Sequence, residues 1–124
     1  MQLESDVVLN HMKTCFSGRM VYCSITQPLL DKYGTEMRDT DGLIDVIRSV
    51  KGVIIAAVIS KNGTKYKVSL RSNSSDYAVN ELAHKYNGGG HRLAAGMYVE
   101  TDSLQEVEGI LLKEVETLFD GNTL

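Results

Sequence analysis

A run of glycines followed by a histidine is the segment of this chain best suited to chemistry. Gly88, Gly89 and Gly90 precede His91 and Arg92. Successive glycines permit unusual dihedrals or close approach of a ligand to the main chain. Backbone N–H groups in such a turn can converge on an anion, and a helical turn that started at His91 would add its positive end. This pattern predicts a phosphate site, although a glycine turn that ends a helix explains it equally well.

A second candidate lies at the end of a predicted strand. Arg71 is flanked by Ser69 and Ser72, small polar residues that suit a loop around a ligand. A guanidinium can hold a phosphate with two parallel hydrogen bonds, but a solvated position for Arg71 is equally compatible with the pattern. Lys65 and Lys67 lie on the same predicted face. We interpret these two as a solvated strand face, because edge strands often carry lysine.

The remaining polar groups give weaker signals. His84 lies off the apolar stripe of its predicted helix and is interpreted as exposed. Asp39 and Asp41 precede another predicted helix, where acids favour the macrodipole. No spacing of histidines and carboxylates in the sequence indicates a metal site. The residues by themselves therefore predict a phosphate-binding domain without a visible catalytic base.

The composition is that of one folded domain. The chain has 124 residues, of which 43% are hydrophobic and 23% charged, as in ordinary soluble proteins. Its net charge of −3 argues against attachment to nucleic acid through bulk charge, so an anion site must be local. Cys15 and Cys23, without a signal-peptide pattern, predict reduced packing thiols in a cytoplasmic protein. The longest apolar run, Val53 to Ile59, is too short to span a membrane.

The elements around these residues predict an α/β fold, a mixed β-sheet with helices packed on it in a single compact domain. In the first half, helices are predicted over 5–16, from Thr26 to Gly34 and from about Thr40 to Gly52, and strands over 19–25 and 53–59. The second strand is apolar throughout, which is typical of a central strand covered on both faces.

In the second half, Asn62-Gly63 predicts a type I′ hairpin turn. The strand that follows, 64–71, has Tyr66, Val68 and Leu70 on its apolar face. We further predict a helix over 77–86 capped by Asp76, a strand over 97–101, a last helix capped by Asp102 or Ser103, and fraying of 120–124.

In their order, these motifs resemble the C-terminal, substrate-binding domain of the DHH phosphoesterases. The match consists of Gly88-Gly89-Gly90-His91 with Ala94-Ala95-Gly96, preceded by Ser69-Leu70-Arg71-Ser72, and it covers roughly 19–119. The stretch from Thr26-Gln27 to Gly34, with Asp41-Gly42-Leu43, further resembles the branch that degrades very short RNAs and removes phosphate from adenosine bisphosphate.

The resemblance implies two lobes that face each other across a cleft. In that family an N-terminal lobe carries Asp-His-His and holds two divalent cations, usually manganese, which activate water. Asp-His-His does not occur in this sequence, so we expect no cofactor in this chain and the cations in a preceding lobe. We then expect 1–18 to be the end of a connecting helix, 19–119 the substrate-binding domain and 120–124 a frayed tail. Alone, the chain would bind phosphate ends and hydrolyse nothing.

Carried over by position, the resemblance also implies the site. Phosphate would be bound by Gly88, Gly89, Gly90 and His91, with Arg71 as a cationic clamp and Ser69 and Ser72 assisting. The expected ligand is the phosphorylated end of a short RNA or a nucleotide. The expected partner is the N-terminal DHH lobe of the same parent chain, with no membrane partner, and a homodimer is left open.

Other activities share this resemblance. They are exopolyphosphatase, cyclic-dinucleotide phosphodiesterase and single-strand DNA exonuclease. A different class is a nucleic-acid-binding module without catalysis, since a related domain forms the C-terminal end of alanyl-tRNA synthetases. His91 favours the hydrolases, because the matching turn of the synthetases tends to lack a histidine.

Overall fold

The structure is a computed structural model that describes residues 2–36 and 42–121. Within these ranges the strands are β1 (Lys13–Cys15), β2 (Met20–Ile25), β3 (Ile55–Asn62), β4 (Lys65–Ser72), β5 (Gly89–His91) and β6 (Ala94–Val99). These six strands form one mixed sheet in the order β1-β2-β3-β4-β6-β5, and among them only β2 and β3 pair in parallel.

Five α-helices are found in the described residues, in agreement with the predicted α/β class. They are α1 (Leu3–Asp6), α2 (Gln27–Lys32), α3 (Leu43–Ile47), α4 (Asn80–His84) and α5 (Leu104–Gly121). A π-helical turn, Val7–His11, continues α1, and a 3₁₀ turn, Ser75–Tyr77, precedes α4. None of the described helices is long and apolar enough to cross a membrane.

The predicted central strand is confirmed in β3, which is buried on both faces. Ile55, Ala57 and Ile59 pack in a core cluster with side chains of α4 and α5. Ala56 and Val58 point the other way, into a second cluster with side chains of α1, α2 and α3. Alternate residues of a strand face opposite sides, so an uninterrupted apolar run serves both cores.

The helices cover the two faces of the sheet unequally. The cluster under α4 and α5 includes side chains from β2, β3, β4 and β6. The other cluster takes strand side chains from β2 and β3 and none from β4, β5 or β6. Among the described residues, one face of β4, β6 and β5 therefore belongs to neither hydrophobic cluster, although α3 lies close to β4.

The predicted helix over 5–16 is wrong beyond His11. Met12 is extended, and Lys13–Cys15 is strand β1, paired antiparallel to β2. Phe16 instead contacts the ring of Phe119, with centroids 5.5 Å apart. Of the apolar residues that looked helical by spacing, Phe16 is thus packed by a long-range contact, whereas Leu9 is 69% exposed.

The next two helices follow their local signals. Thr26 caps α2 by accepting a hydrogen bond from the N–H of Leu29 at 3.4 Å, and Gly34, with φ +59°, lies just beyond its end. The predicted start at Thr40 lies outside the described residues. Helix α3 buries Leu43, Ile44 and Ile47, but it ends at Ile47, so the predicted end at Gly52 is wrong.

The hairpin after β3 is confirmed, but its turn lies one residue later than predicted. Asn62 pairs with Lys65, so Gly63 and Thr64 form the turn. Of these two, only Gly63 has positive φ (+66°), whereas type I′ requires it at both positions. The predicted alternation of β4 holds, with Val68 and Leu70 buried.

The predicted helix over 77–86 is also interrupted, and Asp76 is not its cap. Ser74 accepts a hydrogen bond from the N–H of Asp76 and caps the 3₁₀ turn, after which Ala78 is extended. The N–H of Val79 donates to the carbonyl of Arg92 at 2.8 Å. This bond ties the chain to the β5–β6 hairpin and delays α4 until Asn80.

The C-terminal helix begins as predicted. Ser103 accepts a hydrogen bond from the N–H of Glu106 at 3.1 Å, the arrangement of an N-terminal cap. Helix α5 ends at Gly121, so it includes the first two residues of the segment predicted to fray, and 122–124 lie outside the described residues. Cys15 and Cys23 are free thiols, and Cys23 is buried.

Candidate functional site

The register of three strands brings Arg71 and His91 together. Arg71 on β4 is directly opposite Ala94 on β6, and Ala94 is opposite His91 on β5. Directly paired residues point to the same face of a sheet. Arg71 and His91 therefore flank Ala94 on the uncovered side, with Cα atoms about 9.5 Å apart, two strand spacings. Both side chains are long enough to reach one phosphate lying over Ala94.

A second row of paired residues lies beside the row of Arg71, Ala94 and His91, and it has almost no side chains. Ser69 on β4 is opposite Gly96 on β6, which is opposite Gly89 on β5. The hydroxyl of Ser69 has no hydrogen-bond partner within the described ranges. We call the uncovered side of these strands the open face; it consists of Lys65, Lys67, Ser69, Arg71, Gly89, His91, Ala94, Gly96 and Tyr98.

Two glycines of the run are required by the hairpin itself. A Cβ added to Gly88 would lie 1.9 Å from the carbonyl oxygen of Gly96. Gly90 has φ +140°, and its Cβ would lie 2.6 Å from the carbonyl oxygen of Ala94. Close packing therefore requires glycine at position 88, and close packing together with positive φ requires it at position 90. Gly88 and Gly90 thus shape strand β5.

Gly89 is different, because nothing in the fold requires glycine there. Its φ is not left-handed, and a Cβ would meet no atom within 4 Å. The missing side chain leaves the main chain bare beside His91. Close approach of a ligand to the backbone is the remaining physical reason for glycine at this position.

No helical turn starts at His91. Gly89–His91 is an edge strand joined to β6 through the turn at Arg92 and Leu93, and β6 begins at Ala94 rather than Met97. The N–H of Gly88 already donates to the carbonyl of Ala83 at 3.1 Å. Donors for an anion therefore come from an edge strand and from side chains, with no helix N-terminus at His91.

Arg92 and Ser72 hold the surrounding turns. The guanidinium of Arg92 donates to the carbonyl of Ser75 at 2.9 Å. Ser72, only 2% exposed, lies on the opposite face from Arg71. Its hydroxyl donates to the carbonyl of Ser74 at 2.8 Å and accepts from the N–H of the same residue at 3.2 Å. These bonds fix the chain immediately after Arg71.

The cations of the open face lack the acidic partners found elsewhere on the surface. Within the described ranges, no carboxylate lies within 4 Å of Lys65, Lys67 or Arg71, and the Arg71 guanidinium donates only to the carbonyl of Leu70 at 2.9 Å. By contrast, ion pairs of 3.0–3.2 Å join Lys13 to Glu108, Lys61 to Asp102 and Lys85 to Glu114.

Lys65 and Lys67 lie on a partly exposed strand face, but the edge position that was the reason for interpreting them as solvated is wrong. Strand β4 is internal, paired with β3 on one side and β6 on the other. Lys67 and Tyr98 are directly paired on the open face, and the sequence argument selected neither. The alternation along β4 placed Lys67 on the side of Arg71, but only the β4–β6 pairing shows what lies next to it.

The described residues do not provide a metal site. Across 2–36 and 42–121, no group of three or more His, Cys, Asp or Glu side chains could hold a metal ion. His84 is exposed, as interpreted from sequence, and lines an open cleft of about 270 Å³ together with Glu81 and Gly89. The two cations implied by the resemblance therefore have no donor set in this part of the chain.

Comparisons with known proteins agree on the kind of domain. The DHHA1 domain model matches residues 17–119. The bifunctional oligoribonuclease and PAP phosphatase NrnA of Bacillus subtilis is 32% identical over 94 residues, covering 76% of this chain and 28% of that protein. NrnA of Thermus thermophilus is 32% identical over 108 residues, covering 87% and 32%.

A solved structure shows the same fold. An exopolyphosphatase-related protein from Bacteroides fragilis superposes with a TM-score of 0.85 at 24% identity, covering 98% of this chain and 35% of that one. This chain spans about a third of the length of the curated relatives it matches.

Proposed function

Since the chain belongs to the DHHA1 domain family, whose model matches residues 17–119, we propose that it is the substrate-binding domain of a DHH-type phosphoesterase that hydrolyses short oligoribonucleotides or nucleoside bisphosphates. The observation that carries the proposal is the row of Arg71, Ala94 and His91. It places two cationic or protonatable side chains on either side of a small residue, next to bare main chain at Gly89. A phosphate fits this arrangement because it needs several donors around one compact anion.

Each residue of the site has a distinct role in this proposal. Arg71 clamps the phosphate, since its guanidinium carries more N–H groups than the one bond to Leu70 uses. His91 donates from the edge strand, and Ser69 offers a free hydroxyl in the neighbouring row. Gly89 lets the phosphate approach the backbone. Gly88 and Gly90 shape the strand, and Ser72 fixes the turn behind Arg71.

The chemical step is proposed to depend on a partner lobe. The described residues include no metal donor set, and the chain spans about a third of its NrnA relatives. We therefore propose that an N-terminal DHH lobe of the parent protein holds the two divalent cations, of which manganese is expected. This domain contributes by holding the substrate phosphate. Its free thiols support a cytoplasmic location.

The test compares Arg71→Ala with Lys113→Ala. Lys113 is exposed on α5, the helix that packs on the opposite face of the sheet, so both variants lose one positive charge. Calorimetric titration with a 5′-phosphorylated mononucleotide should show a loss of about 1.5–3 kcal/mol for Arg71→Ala, as for a hydrogen bond to a charged group. Lys113→Ala should bind like the wild type. Equal losses would show that diffuse charge, and not a clamp, attracts the ligand.

A further inference from the structure

We call the row of Arg71, Ala94 and His91 the phosphate row. The open face continues past this row to the directly paired Lys67 and Tyr98. We propose that Lys67, Lys65 and Tyr98 form a second subsite that contacts the next phosphate and base of a single-stranded oligonucleotide. They would be specificity-determining residues that favour two or more linked nucleotides over one. This inference rests on the proposed function and selects the oligonucleotide over the mononucleotide as its ligand. A mononucleotide held at Arg71 would leave the second subsite empty.

The register sets the distance between the two subsites. Lys67 is directly opposite Tyr98, and Arg71 is four residues farther along the same strand. Four residues of extended chain span about 13 Å. A phosphate between Arg71 and His91 therefore cannot also carry a base to Tyr98. A second nucleotide, linked to the first, can cover this distance along the row.

Lys67 lies across a part of the sheet that is free of side chains. Its Cε is 3.8 Å from the position that a Cβ on Gly96 would occupy. That Cβ would make only ordinary contacts, and Gly96 does not have positive φ, so the fold does not require glycine at this position either. Gly96 and Gly89 are paired neighbours, and together they form a flat floor between the phosphate row and Tyr98.

A flexible lysine lies over the ring of Tyr98, which is partly exposed. The Lys65 ammonium lies 4.6 Å from the ring centroid, and no described carboxylate holds it there. A nucleobase can displace such a side chain and stack on the ring, while the ammonium turns to the adjacent phosphate. Surfaces that bind single strands combine cations along the backbone with aromatic rings for the bases.

A matched arrangement elsewhere in the molecule lacks this freedom. Lys61 also lies 4.6 Å from a tyrosine ring, that of Tyr66, but it forms an ion pair with Asp102 at 3.2 Å. Tyr66 packs against the core under α5. Lys61→Ala is therefore a suitable control, since it removes a cation from the same kind of lysine–tyrosine contact outside the open face.

The experiment titrates the purified 124-residue chain with a 5′-phosphorylated mononucleotide and with the corresponding 5′-phosphorylated dinucleotide. The wild type should bind the dinucleotide about 10-fold more tightly or better. Stacking of one base changes affinity by about 5- to 150-fold, so Tyr98→Leu should lose most of this preference, and Lys67→Ala should reduce it. Tyr98→Phe should keep it, because the ring remains. Lys61→Ala should match the wild type, and thermal unfolding of every variant checks that the fold is intact.

The outcomes separate this inference from the proposed function. If the wild type binds both ligands equally, or if Tyr98→Leu weakens both ligands alike, the second subsite is wrong while the Arg71 site stands. Inorganic triphosphate that binds as tightly as the dinucleotide would also overturn it, because that ligand has no base. If the wild type binds neither nucleotide, the proposed function fails and this inference fails with it.

Discussion

Glycine-to-alanine substitutions in one short run should change the stability of the protein in opposite directions, depending on the position. Gly88→Ala and Gly90→Ala place a methyl group against the main chain of β6, whereas Gly89→Ala places it in open space. Each variant gains one methyl group relative to the wild type. Any difference between them therefore reports on local geometry and on ligand contact rather than on composition.

The sizes of the effects follow from the contact distances. At Gly88 the new Cβ would be 1.9 Å from a carbonyl oxygen, and the clash is with backbone that cannot rotate away. Overpacking a core costs about 1–3 kcal/mol, and we expect at least the upper value here. At Gly90 the clash at 2.6 Å is joined by φ +140°, a conformation that costs about 1–3 kcal/mol for other residues. At Gly89 neither cost applies, and reduced freedom of the unfolded chain should stabilise the protein by about 0.4–1 kcal/mol.

Two measurements on the same proteins test these values. Urea unfolding followed by circular dichroism gives the free energy of unfolding of each variant. Calorimetric titration with a 5′-phosphorylated dinucleotide gives the affinity of those that fold. Gly89→Ala should be at least as stable as the wild type and should bind about 10-fold or more weakly. The methyl group holds the phosphate away from the backbone, and one hydrogen bond to a charged group is worth about 1.5–3 kcal/mol.

Two results would refute this reasoning. If Gly89→Ala is destabilised as much as Gly88→Ala, the glycine run serves only the fold of the hairpin. If Gly89→Ala is stable and binds normally, the bare main chain beside His91 is not part of the binding surface. Either result leaves the Arg71 prediction to be judged on its own titration.

Two further predictions concern the protonation of Asp6 and the effect of added metal. Asp6 is 2% exposed, and hydrogen bonds from Tyr33 and Asn10, with Lys32 nearby, hold the pKa of its carboxyl well below its usual range. Its stabilising effect should thus be present above about pH 4 and be lost as pH falls below it. The difference in free energy of unfolding between wild type and Asp6→Asn should shrink from pH 5 to pH 2, and a constant difference would contradict this. The purified chain with manganese should not hydrolyse a short RNA, since its described residues have no metal donor set; turnover by nuclease-free protein would disprove this.

Local signals predicted the parts of the fold that local chemistry determines. The β-branched run at 53–59 became the central strand, and Thr26 caps α2 through its own side chain. Gly63 lies in the predicted hairpin with positive φ. In each case the deciding contact lies within a few residues, or the pattern is strong enough to require burial on two faces.

The failures occur where a distant contact decides. Residues 12–16 look helical by spacing, yet β1 pairs with β2, and Phe16 packs on Phe119, a residue more than a hundred positions away. The helix predicted from Tyr77 is delayed because Val79 bonds to Arg92 in another hairpin. Neither partner can be identified from the local sequence, so the pattern alone could not exclude a longer helix in either place.

The candidate site was recognised by residue type, but its shape depends on strand order. Arg71 and His91 were selected individually, and only the pairing of β4 with β6 and of β6 with β5 places them on one row. The same pairing makes β4 internal and turns Lys67 from an apparent edge lysine into a neighbour of Tyr98. A motif therefore selected the residues of the candidate phosphate site, whereas the proposed second subsite could be inferred only from the three-dimensional register.

The open face differs in its residue types from a sheet face that is buried against helices. A sheet face that packs against its own helices carries apolar residues, as the opposite side of β4 and β6 does with Val68, Leu70 and Met97. The open face instead carries glycine, alanine, serine and basic residues, together with Tyr98. The whole chain has 16 acidic and 13 basic residues, and yet no described carboxylate lies within 4 Å of Lys65, Lys67 or Arg71. Placing like charges together without neutralising them costs free energy in the unbound domain, and an anionic ligand recovers that cost on binding.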